Sequence, residues 1–158
     1  MKKSTILILF LAIFSTVMIG APRFGLMTEQ DHGLGAMVSL DQINAHVLVN
    51  STYDDAPSKT DLTSISVALD YKLQLESNIN LLLGIGYVTK SGDYEGKALD
   101  KWTIMSIHVG LVRPLSDNIL ISSKINLYEQ ATYDDSATSE YKITRIFSDA
   151  RMGVGVLF

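Results

Sequence analysis

Cysteine is absent from the chain. Its absence excludes a disulfide scaffold, a thiol nucleophile, a cysteine-ligated zinc site and an anchor through a lipidated N-terminal cysteine. Proline is scarce, 3 residues against 11 glycines, and Ser, Thr, Asn and Asp are plentiful, a mixture that suits strands and turns better than long helices. Basic residues cluster only at Lys2 and Lys3, and the formal net charge is −4. A nucleic-acid partner needs a basic stripe to neutralise phosphates, so none is expected. Charge is low overall: 19% of the residues are charged and 47% hydrophobic, which excludes a disordered, solvating chain. The length of 158 residues allows one domain.

Long apolar runs are missing too, with one exception at the start. Lys2 and Lys3 precede an unbroken run from Ile6 to Phe14, extended by Val17 to Ile19 and followed by Gly20 and Ala21. This is the layout of a secretory leader, with cleavage after Gly20 or Ala21. We therefore expect residues 1–21 to be a signal peptide and residues 22–158 to be the mature domain. No later segment approaches the roughly 20 apolar residues of a spanning helix. Any further membrane crossing must then be a closed barrel, because only helices and closed barrels satisfy their backbone groups in lipid.

The mature chain is dominated by period-2 alternation. Ile65, Val67, Leu69, Tyr71, Leu73 and Leu75 alternate with Ser66, Ala68, Asp70, Lys72 and Gln74. Ile79, Leu81, Leu83, Ile85 and Tyr87 alternate with Asn80, Leu82, Gly84 and Gly86. The same theme recurs over 34–40, 43–53, 105–112 and 119–128, where Tyr128 falls on the face of Lys124 and Asn126. A first strand over 24–30 gives a weaker signal, and with it the count is eight. Connectors alternate between short ones (41–42, 76–78, 116–118) and long ones (54–61, 91–100, 131–140). Short turns at one end and long loops at the other fit an outer-membrane barrel. The fold expected is all-β: a closed, antiparallel, up-and-down transmembrane β-barrel of about eight strands.

The polar face holds His46, Asp70, Lys72, His108, Lys124, Asp149 and Arg151, interspersed with small residues such as Gly84, Ser66 and Ala68. Small side chains suit the crowded lumen of a narrow barrel, so this set is expected to form an inward polar cluster. The aliphatic face is then the lipid-facing one. The long connectors carry acids, among them Asp54, Asp55, Asp93, Glu95, Asp134 and Asp135, which are expected on outer loops facing lipopolysaccharide. Tyr53, Tyr87, Trp102, Tyr128 and Tyr133 lie near the same end, as an aromatic girdle would.

The chain ends on Phe158, with Val156, Val154, Met152 and Ala150 at period 2 before it. A terminal aromatic with alternating apolar residues resembles the recognition strand that the barrel-assembly machinery reads in outer-membrane proteins. With the leader and the alternation, the chain resembles small eight-stranded outer-membrane barrels of the OmpA-transmembrane-domain or OmpX type, in Gram-negative envelopes. The resemblance covers architecture and the two ends and no functional motif. It implies a monomer in the outer membrane, surrounded by lipid and lipopolysaccharide, with a role in membrane integrity, surface contact or envelope stress.

No catalytic set, metal site or cofactor is expected. Ser106 and His108 share a face and, with Asp70 or Glu129, could form a hydrolytic triad like that of outer-membrane lipid A deacylases. Such a triad must meet lipid, whereas these residues fall on the lumen face. The alternatives to a structural or interactive barrel are that lipid-modifying enzyme and a soluble, periplasmic, lipocalin-like barrel holding an apolar ligand. A porin-like open channel is disfavoured, since side chains fill the interior of an eight-stranded barrel.

Overall fold

The computed structural model describes residues 21–54, 60–76, 78–94, 97–135 and 138–158. The leader expected over 1–21 lies outside them save for Ala21, as do Asp55 and Glu95. The strands are β1 (Arg23–Glu29), β2 (Gly33–Ser39), β3 (Ile43–Asp54), β4 (Thr60–Glu76), β5 (Ile79–Tyr94), β6 (Lys97–Pro114), β7 (Ile119–Asp135) and β8 (Thr138–Leu157). Each pairs antiparallel with its chain neighbour, and β1 pairs with β8 to close the ring. The weak signal over 24–30 is therefore a strand, and it is the one that closes the barrel.

The wall is sheared. A row of paired residues starting at Thr28 runs through Leu34, Val49, Ile65, Thr89, Thr103 and Thr132 to Lys142. Thr28 itself pairs with Val154, much further along β8. That stagger is the geometric consequence of strands tilted against the barrel axis.

Side-chain facing is inverted relative to a water-soluble protein. Val67, Ile85, Met105, Ile107 and Met152 are exposed on the outside, while Asp70, His108, Asn126 and Lys124 are buried inside. An apolar cluster also lies inside the ring: Met27, Met37, Leu48 and Leu157, with Leu120 packed against them.

Three expectations are corrected. Among the described residues, the parts of the stretches read as long loops are strand: Asp54 ends β3, Asp93 lies in β5, and Asp134 and Asp135 end β7. The strands run on past the apolar band, as at Ser91, Gly92 and Asp93, which are all exposed whichever way they point. Alternation therefore fades there although the backbone ladder continues. Second, Tyr128 faces outward and Glu129 inward, because Ile107 pairs with Tyr128 while His108 pairs with Asn126. Leu127 is the extra residue of a bulge, and one extra residue reverses the facing of everything beyond it. Third, Trp102 is not part of an outer girdle. It lines the lumen, with Lys90 Nζ 4.5 Å from its ring centroid. Tyr87 and Tyr128 do face out.

Candidate functional site

The centre of the lumen is an ion-paired layer assembled from six strands. β1 contributes Glu29, β3 His46, β4 Asp70, β6 His108, β7 Lys124 and β8 Arg151, each no more than 5% exposed. Period-2 facing delivers one long polar side chain per strand to the same depth, and the small inward residues around them leave room. An added Cβ at Gly84 would collide with both Asp70 Oδ1 and His108 Nε2.

Lys124 Nζ sits between two carboxylates, 2.6 Å from Glu29 Oε1 and 2.9 Å from Asp70 Oδ2. Arg151 Nε lies 3.2 Å from Glu29 Oε2, and its Nη1 donates to Asp149 Oδ2 at 2.5 Å. His108 Nε2 is 2.5 Å from Asp70 Oδ1. His46 lies between the same two carboxylates, 3.6 Å from Glu29 and 4.0 Å from Asp70. The core pairs thus balance, Glu29 and Asp70 against Lys124 and Arg151. That balance is what charges withdrawn from water require, because an unpaired one would cost several kcal/mol.

Of the seven residues expected in the cluster, His46, His108 and Lys124 meet Asp70 directly, Arg151 joins through Glu29, and Asp149 joins through Arg151. Lys72 does not. It reaches down to the short-turn mouth, where it donates to Ser39 Oγ at 3.1 Å and to the carbonyl of Leu40. It lies two residues below Asp70 on the same face, and its flexible stem lets the ammonium reach a hydroxyl and a backbone acceptor there. Two members were missed. Glu29 stands on the short first strand, and Glu129 lies beyond the bulge. Glu129 Oε2 accepts from Asn126 Nδ2 and from Ser148 Oγ, both at 3.0 Å. Charge balance was the available signal for Glu29: the expected set held three cations against Asp70 and Asp149.

Ser106 and His108 both face the lumen, as expected. His108 Nδ1 has no hydrogen-bond partner, so Ser106 is not coupled to it and the set is an Asp70–His108 pair rather than a triad. Among the described residues no cluster of His, Cys, Asp and Glu could hold a metal ion.

The layer divides the interior. Above it, towards the long-strand end, is a cavity of about 500 Å³; at the short-turn mouth is one of about 260 Å³. Between them the free space at His46, Asp70 and Lys124 is about 10 Å³. A single water needs roughly 10–15 Å³, so the ion layer is effectively filled.

At the other end of the wall, Phe158 is 75% exposed, and its backbone N–H donates to the carbonyl of Phe24 at 2.8 Å. Met152, Val154 and Val156 face outward with it, the alternation expected of the last strand.

No family model matches the chain, and no curated protein is similar to it. Among solved structures, it is similar to a major outer membrane protein from Thermus thermophilus, at 13% sequence identity over 87% of this chain and 100% of that one, with a TM-score of 0.35.

Proposed function

We propose that this chain is a small outer-membrane barrel with an occluded lumen, of the OmpA-transmembrane-domain or OmpX type, acting in envelope integrity or surface contact and not as an enzyme or pore. The inverted facing carries the reading. The outward positions are apolar from Leu111 up to Met105 on β6, with Arg113 exposed just below them, and from Leu75 up to Ile65 on β4. The β4 span matches the roughly 9–11 residues that a tilted strand needs to cross hydrocarbon. In water such a surface would be an aggregation liability far larger than a monomer tolerates. A soluble barrel for an apolar ligand would need the aliphatic face inside, and here the interior carries the charges.

The filled ion layer argues against conduction, and the lack of a hydrogen bond between Ser106 and His108 argues against lipid hydrolysis. Lipopolysaccharide is the natural partner of the acids at the long-strand end, bridged by divalent cations. The barrel-assembly machinery would read Phe158, Val156, Val154 and Met152, and a monomer suffices for all of this. The test is expression with the native leader, followed by membrane fractionation and gel mobility of boiled against unboiled samples. Outer-membrane recovery with a heat-dependent mobility shift, and no conductance in planar bilayers, is expected. Recovery as a soluble periplasmic protein without a shift would overturn the reading.

A further inference from the structure

The eight strands do not rise equally. β1 and β2 end at the Gln30–His32 turn, while their ring neighbours β8 and β3 continue past it. The last β1 ladder pair on β8 is Glu29 with Gly153, followed by Gln30 N–H donating to the carbonyl of Met152 at 2.9 Å. The last β2 pair on β3 is Leu34 with Val49. Beyond these pairs, among the described residues, the facing edges of β3 and β8 have no ladder partner. The wall therefore has a notch over the first hairpin.

The notch reaches down into the apolar belt. On β8, past the last β1 pair, Ile146 and Phe147 are 68% and 70% exposed. The edge there is irregular, with positive φ at Phe147 and Asp149 (both 52°), which spoils it as a template for another strand. The lip of the notch is pinned: His32 Nδ1 lies 3.0 Å from Ser66 Oγ and its Nε2 lies 3.2 Å from Asp149 Oδ2, while Asn50 Nδ2 donates to the carbonyl of Asp31 at 3.2 Å.

Behind the lip lies the cavity of about 500 Å³, within the ~300–1,000 Å³ range of small-molecule sites. Its far wall, on β5 and β6 across the ring, is Val88, Ile104 and Trp102. These are apolar groups turned inward in a lumen that is otherwise polar at this depth. Its floor includes Ser106 and Asn126, and the buried Oδ1 of Asn126 has no hydrogen-bond partner. The charges around it cancel, Lys90, Arg145 and Arg151 against Asp31, Glu129 and Asp149, so an ion gains no net attraction.

We infer that this cavity binds a single-chain amphiphile with an uncharged, hydrogen-bonding head group, such as a long-chain alcohol, taken from the surrounding lipid through the notch above the first hairpin. The hydroxyl rests on the polar floor at Ser106 and Asn126, and the chain lies against Val88, Ile104 and Trp102. The route rests on the membrane reading above; the cavity and its ligand class do not.

Trp102 is the only tryptophan in the chain and so reports directly on occupancy. The probe is 11-bromoundecanol, whose bromine quenches indole fluorescence on contact, titrated into the folded full chain in detergent micelles. Saturable quenching is expected, weakened at least tenfold in Val88→Glu. Ile104→Ser, which should weaken it less, serves should Val88→Glu fail to fold. Quenching that rises linearly with probe and is unchanged in the folded variant would be mere micelle partitioning and would overturn the proposal. In vesicles, bromoundecanol should quench far more than phosphatidylcholine brominated on both chains, at equal bromine content. Equal quenching by the two would mean that Trp102 meets lipid directly. Saturable quenching in micelles with none in vesicles would remove the lateral route. The heat-dependent mobility shift, run on the same samples, reports separately on the membrane barrel itself.

Discussion

Replacing Lys124 by Met removes the cation shared by two buried carboxylates and leaves the stem nearly the same length. Glu29 would keep Arg151 Nε at 3.2 Å, and Asp70 would keep His108 Nε2 at 2.5 Å. Breaking one partner out of a buried pair costs about 3–5 kcal/mol. The surviving contacts put Lys124→Met at the lower end, about 3 kcal/mol, or roughly a hundredfold in the unfolding equilibrium. The assay is urea unfolding of the barrel in vesicles, followed by Trp102 fluorescence and by the gel mobility of unboiled samples. Asp70→Asn completes a double-mutant cycle. Groups in one such network couple by about 0.5–3 kcal/mol, so the double variant should cost less than the two single variants together. A Lys124→Met barrel as stable as wild type, with additive costs in the cycle, would refute the idea that this lysine is enclosed between carboxylates.

Other perturbations should separate the inside from the outside. Gly84→Ala should destabilise by about 1–3 kcal/mol, the usual cost of overpacking, because its methyl would press on Asp70 and His108; the same unfolding assay measures it. Ile85→Arg, one residue away but 59% exposed on the outer face, should cost about 2–4 kcal/mol in vesicles if that face meets the hydrocarbon midplane. Deleting Phe158 should lower the amount of assembled barrel in the outer membrane, scored by fractionation, and unchanged levels would show that the last strand is not read there.

The regular parts of the fold were legible because a wall with one apolar and one polar face forces side chains into period 2. β4 and β5 could be read almost residue by residue, and with them the inward placement of Asp70. Lys124 and His108 were legible for the same reason. Where the wall is bulged, that logic failed. Leu127 shifts the register of β7, so Tyr128 and Glu129 could not be assigned from alternation. Beyond the apolar band, as at Asp93 or Asp134, strands persist without contrast between their faces, and composition alone resembled loop. Glu29 was hidden by the brevity of β1, and the notch above it by the fact that strand heights depend on shear, which no single segment encodes. Nor did alternation reveal that Trp102 faces in, since the girdle was inferred from its place along the strand rather than from its parity.

The central claim is that the aliphatic face looks into lipid and the charged face into the lumen. The absence of cysteine makes it directly testable by single spin labels on adjacent residues of β4, at Val67→Cys and Ser66→Cys. Val67 is 44% exposed on the outer face, and Ser66 lines the upper cavity. In lipid vesicles, the label at 67 should relax with oxygen dissolved in the hydrocarbon and ignore a water-soluble nickel chelate, and the label at 66 should show the lower oxygen accessibility of an enclosed site. The opposite pattern, or equal access of the chelate to both, would mean that the two faces are inverted and that the barrel belongs in water.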